Sequence, residues 1–364
     1  MPFDPLPLGP ALTAAAARHT GATARLEAAL ATVQQLYAAL PAAVWTTSAG
    51  YAGGAVPLAD LAPVPAPLAP PAAYCVIATD ASAIRPDRHA GVACALVTVG
   101  RIMLAYGPDP AATLDTLAHH YGPGPASLAR RLPGLCAHAE RAALARLAAT
   151  IQPDLALLDG PLLPRPLRPG AQPLPATLLT GGVPVVGYIS APQTSAVLRT
   201  LRAACCPVVA AGGPLCGGGG VTPCPDSPCG ALVGVPDARL FARLLPAGAR
   251  SPLFLLPTPP HARVRGPAAA GVGFCYLHTP TEVARLDVPL TLTDDAGALD
   301  RLHGIVLRQC ALGDGYPRVL ALAHQFAVLT SADRAAYFAL LDRYGLAGPP
   351  SAKALGKARL GGRI

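Results

Sequence analysis

Two aspartates stand where buried strands are predicted to end, a position from which carboxylates can act on a ligand. Asp80 follows the apolar run 75–79 in "YCVIATDAS", and Asp159 follows "LALL" at 155–158. In an α/β sheet, side chains at the carboxyl ends of strands surround the usual ligand crevice. One such Asp alone usually belongs to a turn or caps a helix. Two on adjacent strands could share a metal ion.

A third carboxylate comes from a predicted helix over 135–150. Glu140 shares a face with Leu144 and Leu147, and this apolar face should point inward. A buried carboxylate needs a cation or a hydrogen-bonding partner. The partner is either an arginine from another element or a metal ion for which Glu140 is a third ligand. Oxygen-only ligation would favour Mg²⁺ or Mn²⁺.

Two polar residues near the C-terminus also lie on apolar helix faces. Gln309 follows Ile305 by four positions, and His324 follows Leu320 by four. A lone His in such a place is more often a hydrogen-bonded core residue than a ligand. Its significance rises if it meets the carboxylates.

The chain has ten cysteines, without a secretory signal, which argues against a disulfide framework. Five of them cluster irregularly and form no Cys-x-x-Cys pair: Cys205, Cys206, Cys216, Cys224 and Cys229. One interpretation is a Gly- and Pro-rich loop whose thiols bind no metal. The other is a zinc site formed by Cys206, Cys216, Cys224 and Cys229, because thiolates suit zinc.

Composition excludes a membrane-spanning protein. Hydrophobic residues make up 52% of the 364 residues, but 43 Pro and 37 Gly interrupt the apolar runs. Runs such as 91–99 are far shorter than the ~20 residues that a membrane span needs. The N-terminus has no basic region and no apolar signal core, which favours a cytoplasmic protein. The net charge of +8, nearly all from Arg, fits a polyanion partner or simply a codon bias towards Arg.

The predicted elements group into four regions. Residues 1–55 are a helical region with a long helix over 11–40, and 56–73 are a Pro-rich connector. Residues 74–345 form the main domain, which includes a Cys/Gly/Pro-rich loop at 205–230. Residues 346–364 are a basic tail.

Within the main domain the patterns predict three early strands and then alternating helices and strands. Strands are expected at 75–79, 91–99 and 101–106, with a hairpin turn at Gly100-Arg101, and a helix at 111–121. Later strands are expected at 155–158, 183–189, 252–256 and 271–278. Further helices are expected at about 193–204, 237–246, 296–311, 316–328 and 331–344. This order predicts an α/β fold with a mixed sheet flanked by helices rather than a doubly wound sheet.

An ordered set of motifs resembles the NurA nucleases over roughly residues 70–345. It includes "IATDAS", the helix carrying Glu140, "LALLDGPL", "VVGYISAPQTSAVLR" and "GDGYPRVLALAHQFAVLTSADR". The more specific parts are the Asp-Gly-Pro turn and the late Gly-Tyr-Pro followed by a His. The resemblance rests on the whole set in order, since no single motif suffices.

The resemblance implies an RNase H-like core and a Mn²⁺- or Mg²⁺-dependent deoxyribonuclease. Such enzymes cut single-stranded DNA and resect duplex ends 5′ to 3′, as homodimers working with a HerA-type hexameric ATPase in recombinational repair. By motif match the catalytic residues are Asp80, Glu140, Asp159 and His324, with the three carboxylates as metal ligands. His324 could orient a water, move a proton or ligate a metal. Tyr188 and Gln309 are further candidates for lining the site.

One departure from the family pattern leaves a second function open. The family usually has Asp-Gly-Ser after the first strand, and this chain has Asp80-Ala81-Ser82. Glycine allows positive φ and close approach, and alanine does not. A catalytically weak DNA-binding or scaffold subunit of the same complex is therefore the alternative. A metal-dependent phosphatase is a third reading, with the same ligands but no long DNA channel.

Overall fold

The computed structural model describes residues 8–67, 71–86, 93–124, 127–162, 182–216, 227–256, 271–292 and 295–346. Cys224, the residues 347–364 of the predicted tail and part of the predicted loop 205–230 lie outside the described residues. Among the described helices, none has the length and apolarity needed to cross a bilayer.

Eight helices of at least two turns are described. They are α1 (Gly9–Ala39), α2 (Ala42–Ala52), α3 (Leu128–Ile151), α4 (Ala196–Cys205), α5 (Asp237–Leu244), α6 (Ala296–Leu312), α7 (Arg318–Ala327) and α8 (Ser331–Arg343). Single helical turns occur at Pro207–Ala210, Pro228–Ala231 and Leu290–Leu292.

Nine described strands form one mixed sheet. They are β1 (Val56–Pro57), β2 (Tyr74–Ile84), β3 (Ala93–Tyr106), β4 (Ala111–Gly124), β5 (Leu155–Asp159), β6 (Val185–Ile189), β7 (Phe254–Leu255), β8 (Val272–His278) and β9 (Val283–Pro289). Their order is β1-β7-β8-β9-β6-β5-β2-β3-β4.

The centre of the sheet has RNase H-like topology. Strands β2, β3 and β4 form an antiparallel meander, and β5 and β6 then add in parallel beside β2. Helix α3 joins the meander to β5. The predicted α/β fold with a mixed, helix-flanked sheet is therefore confirmed.

Helices cover both faces of the sheet. Helices α6 and α7 pack on one face, in a core that includes Val76, Leu157 and Leu277. On the opposite face, α3 packs over β2 to β5 with Leu144 at 0% exposure. The same face of β7 to β9 carries a second core beneath α1, α2, α4 and α5. Because side chains alternate along a strand, each strand contributes to both layers.

Aromatic packing fixes the N-terminal helices to the sheet. Tyr37 of α1 makes edge contacts with Trp45 of α2 and with Phe241 of α5, and Phe241 stacks on Tyr276 of β8. Burying one such aromatic side chain contributes about 2–3 kcal/mol. The predicted helical region thus packs on the main domain, and β1, from within the predicted connector, pairs with β7.

The prediction of a hairpin turn before residue 101 was wrong. The predicted turn at Gly100-Arg101 does not exist, because β3 runs unbroken through it and Gly100 pairs with Asp80. A Cβ at Gly100 would collide with the carbonyl oxygen of Ala323, so the glycine serves the close approach of α7.

Residues 111–121 form part of strand β4 rather than a helix. This segment is rich in Ala and Leu, which favour helix, but hydrogen bonding along β3 overrides that local preference. Strand β9 was not predicted, because the charged residues Arg285 and Asp287 interrupt its apolar sequence pattern. In the structure these two residues form an ion pair and the whole strand is buried.

Candidate active site

Strand register places Asp80 and Asp159 side by side. Strands β2 and β5 pair in parallel up to Thr79 and Leu158, and the two aspartates are the next residues of their strands. Residues in register on neighbouring strands point to the same face, here the face covered by α6 and α7. Asp159 ends β5, as predicted. Asp80 does not end its strand, because β2 continues to Ile84 beside β3.

Glu140 lies on α3, which covers the opposite face of the sheet, and it interacts electrostatically with both aspartates. The Oγ1 of Thr79 donates to the carbonyl oxygen of Glu140 at 3.1 Å and so fixes α3 against β2. Leu144 is fully buried on the same helix face, as the pattern predicted. The Oε1 of Glu140 is buried and has no hydrogen-bond partner among the described residues. The structure therefore leaves one carboxylate oxygen without the partner that burial requires.

His324 closes the site from α7. Its Nδ1 lies 2.7 Å from Oδ2 of Asp80, and most of the ring remains exposed. The helix is held in place by Thr98 of β3, whose Oγ1 donates to the carbonyl oxygen of Ala327 at 2.7 Å. His324 is thus the helical His that meets the carboxylates, the condition under which it gains significance as a site residue.

Tyr316 is a site residue that the sequence argument missed. Its hydroxyl lies close enough to Asp159 to act on the pKa of that carboxyl, in the lowering direction, and its ring packs edge-on against Tyr188. The turn before it contains Asp314 at φ 53° and Gly315 at φ 102°, where a side chain on Gly315 would collide with Thr281. Its position directly after this strained turn, inside the "GDGYP" motif, was the available signal.

The Asp-Gly-Pro turn fixes the backbone beyond Asp159. Gly160 has φ 105°, which disfavours any residue with a side chain, and its N–H donates to the carbonyl oxygen of Tyr188 at 2.8 Å. A Cβ at Gly187 would lie 2.5 Å from the carbonyl oxygen of Gly160. The turn therefore packs closely over β6, which holds Asp159 at the strand end.

Ala81 fits its position without strain. It lies inside β2, paired with Val99, and is not among the described residues with positive φ. Its N–H donates to Oδ1 of Asp80 at 2.8 Å and so orients that carboxylate. The conformational freedom of glycine is not needed in this strand.

The other two candidate site residues, Tyr188 and Gln309, are fully buried. Tyr188 pairs in register with Asp159, and its hydroxyl donates to Glu282 at 3.0 Å. Gln309 is fully buried, where it donates to the hydroxyl of Tyr74 and accepts from the N–H of Val319. The contacts of Gln309 join α6, α7 and β2 and do not include the carboxylates.

The electrostatics of the cluster favour a bound cation. Burial and the charges of Asp80 and Asp159 raise the pKa of Glu140 to about 8. The pKa of Asp159 is also raised, by partial loss of hydration and by the Asp80 charge, although this side chain keeps solvent access. Arg141 only partly offsets the repulsion at Glu140. Glu140 thus combines like-charged neighbours with a carboxylate oxygen that has no partner among the described residues, and Mg²⁺ and Mn²⁺ prefer oxygen ligands of this kind.

Three of the four predicted zinc ligands lie close together, in a group that includes none of the carboxylates. The sulfur atoms of Cys206, Cys216 and Cys229 lie within 4.8 Å of one another, and all three residues are buried. The fourth, Cys224, lies outside the described residues.

A family comparison matches the NurA domain over residues 75–329, which is more than half of the chain. The chain belongs to the NurA family. The matched range contains all four residues that carry the NurA resemblance at the site, from Asp80 to His324. A comparison with curated proteins gave no match.

Solved structures are similar only at a distance. A crystal structure of NurA matches with a TM-score of 0.42 and 11% identity, and the alignment covers 78% of this chain and 90% of that one. A crystal structure of NurA with manganese has a TM-score of 0.38 and 13% identity, covering 78% and 91%. The catalytic domain of human endonuclease V has a TM-score of 0.32 and 14% identity, covering 84% and 97%.

Proposed function

We propose that this NurA family member is a divalent-metal-dependent deoxyribonuclease whose site is formed by Asp80, Glu140, Asp159 and His324. The observation that supports the proposal is the electrostatic interaction of Glu140 on α3 with Asp80 of β2 and Asp159 of β5. In the absence of a cation, this arrangement places like charges together and leaves Oε1 of Glu140 without a partner. Such a cluster costs stability unless it serves a bound ion.

The chain supplies the ligands and the proton acceptor. Asp80, Glu140 and Asp159 would hold Mn²⁺ or Mg²⁺, which lowers the pKa of a bound water and neutralises charge on the scissile phosphate. In the neutral tautomer that donates from Nδ1 to Asp80, Nε2 of His324 is an acceptor. The exposed ring is therefore suited to orient the attacking water or take its proton.

Neighbouring residues position these groups. The hydroxyl of Tyr316 lies near Asp159 and favours the ionised form of that carboxyl by lowering its pKa. Arg141 donates to the carbonyl oxygen of Pro161, just beyond the Asp-Gly-Pro turn, at 3.5 Å. Its guanidinium brings a positive charge to the rim of an otherwise acidic cluster, which favours the approach of a phosphate.

Family membership supports a proposal for the substrate and the partners. We propose single-stranded DNA as substrate for endonucleolytic cutting, and duplex ends for 5′ to 3′ resection in recombinational repair. A homodimer and a HerA-type hexameric ATPase are the proposed partners in the cytoplasm. The first turns of α1 expose Leu8 and Leu12, apolar side chains that a dimer contact could cover. Contacts to the DNA backbone predict salt-sensitive binding with little sequence preference.

The test is a cleavage assay that separates substrate class from metal dependence. Labelled single-stranded DNA is incubated with the protein in Mn²⁺ or in EDTA, and a phosphomonoester is the parallel substrate. We expect DNA cleavage in Mn²⁺ alone and no release of phosphate from the monoester. Hydrolysis of the monoester without cutting of DNA would indicate a phosphatase. DNA binding without cleavage under any divalent cation would indicate a scaffold subunit.

A further inference from the structure

A second group of metal-ligating side chains lies outside the carboxylate site. Cys206 follows α4, Cys216 lies ten residues further on, and Cys229 belongs to the single helical turn Pro228–Ala231. Each residue is at most 1% exposed, and their sulfur atoms lie within 4.8 Å of one another. Three separate backbone segments thus bring thiols to one buried point.

The spacing of the sulfur atoms matches a tetrahedral metal site. The Sγ atoms of Cys216 and Cys229 are 3.7 Å apart. With zinc–sulfur bonds of about 2.3 Å, tetrahedral angles place two thiolate sulfurs about 3.8 Å from each other. A disulfide would instead require about 2.05 Å. The observed separation fits two ligands of one ion without movement of the chain.

A buried arginine supplies the complementary charge. Arg202 of α4 is 6% exposed and donates to the carbonyl oxygens of Cys229 at 2.8 Å and of Cys216 at 2.5 Å. Its Nη2 also lies 3.8 Å from Sγ of Cys216. Among the described residues, Arg202 forms no ion pair with a carboxylate, and a buried guanidinium without an anion is costly.

We propose that Cys206, Cys216 and Cys229 bind a structural zinc ion as thiolates. Binding releases three protons to solvent, one from each thiol, and leaves Zn²⁺ with three thiolates at net charge −1. The positive charge of Arg202 balances this complex. Ser227 lies 2.8 Å from Sγ of Cys229 and can donate to that thiolate.

The ion would fix the segment after α4 to the layer that holds the N-terminal helices. The segment from Cys206 to Cys229 has little regular structure in its described parts, and its core is a small cluster of cysteines, Val208, Val209 and Leu215. A metal ion that links three backbone segments supplies stability where apolar burial is small. The sulfur of Cys205 does not join the group, because it donates to the carbonyl oxygen of Arg202 instead.

The test measures zinc on the full-length protein, purified under reducing conditions from zinc-supplemented cells. We expect one zinc ion per chain in the parent by elemental analysis, and a loss of about fivefold or more in a Cys216→Ser, Cys229→Ser double variant. Cys275→Ser, which changes a buried cysteine of β8, should keep its zinc. Asp159→Asn should also keep it, which separates this site from the carboxylates.

A second measurement uses the unmodified protein, so it does not depend on the folding of a variant. Titration with an organomercurial should release the zinc as the thiols are blocked, and Co²⁺ substituted for zinc should show thiolate charge-transfer absorption. A parent that takes up no zinc under reducing conditions would overturn the proposal. So would a double variant that retains its zinc, or a Cys216–Cys229 disulfide that persists in reductant. These results do not depend on whether the protein cleaves DNA.

Discussion

Replacing Glu140 with glutamine should stabilise the metal-free protein at alkaline pH. Burial and two neighbouring carboxylates raise the pKa of Glu140 from 4.5 to about 8. The protonated side chain of Glu140 therefore contributes to folding stability at low pH, and this contribution is lost as the pH rises from 4.5 through about 8. The difference between these values corresponds to about 5 kcal/mol. Part of the side chain reaches solvent, which screens the repulsion. We therefore expect Glu140→Gln to raise the free energy of unfolding at alkaline pH by about 3 kcal/mol.

Glutamine has the shape of protonated glutamate but stays neutral at every pH. The difference in stability between variant and parent should therefore grow as Glu140 of the parent ionises. In EDTA at pH 5, the free energy of unfolding of Glu140→Gln should lie within about 1 kcal/mol of that of the parent. At pH 8, the melting temperature of the variant should be roughly 6 °C higher than that of the parent. Thermal unfolding monitored by circular dichroism at the two pH values measures this. Addition of Mn²⁺ should then raise the melting temperature of the parent but not that of the variant.

A matched control comes from the surface. Glu27 is an exposed glutamate that pairs with Arg243, and Glu27→Gln should shift stability by no more than about 0.5 kcal/mol at either pH. If Glu140→Gln were less stable than the parent at pH 8 without metal, the carboxylates would not repel one another. The electrostatic reasoning for a cation site would then be refuted.

Two further predictions concern the supports of the site. Tyr316→Phe removes the hydroxyl that lowers the pKa of Asp159, so cleavage at limiting Mn²⁺ should fall by about tenfold while the melting temperature changes little. Unchanged cleavage kinetics would show that Tyr316 does not act on the site. Gly100→Ala should cost more than about 2 kcal/mol in urea unfolding, because the new Cβ collides with the carbonyl oxygen of Ala323. Gly50→Ala, in a helix with no atom near the new Cβ, should instead stabilise by about 0.5–1 kcal/mol, and equal effects would contradict the packing argument.

Most elements could be predicted because their apolar patterns are regular. Helix α3 has a clear apolar face that points inward, and the strand predicted at 155–158 matches β5 to within one residue. The same regularity placed Asp159 at a strand end and Glu140 on a buried face. The expectation that these carboxylates share a site therefore follows from local pattern together with the RNase H-like topology.

Long-range contacts decided the features that were missed. Residues 111–121 favour helix locally, and only the hydrogen bonds to β3 make them a strand. Gly100 looked like a turn because the sequence does not show that α7 crosses directly above it. The contact of Tyr316 with Asp159 joins residues far apart in the chain, so the motif alone did not assign that tyrosine a role.

The central claim is that Asp159 acts on a bound metal during DNA cleavage. The most direct measurement is the rate at which Asp159→Asn cuts labelled single-stranded DNA in saturating Mn²⁺, relative to the parent. The matched control is Asp154→Asn, which changes an aspartate just before the other end of β5, about 16 Å away, where it pairs with Arg301. We predict that Asp159→Asn loses cleavage by orders of magnitude but remains folded and binds DNA in EDTA at least as well as the parent. Asp154→Asn should cut at the parental rate, corrected for its folded fraction. A folded Asp159→Asn protein that cleaves like the parent would contradict the account.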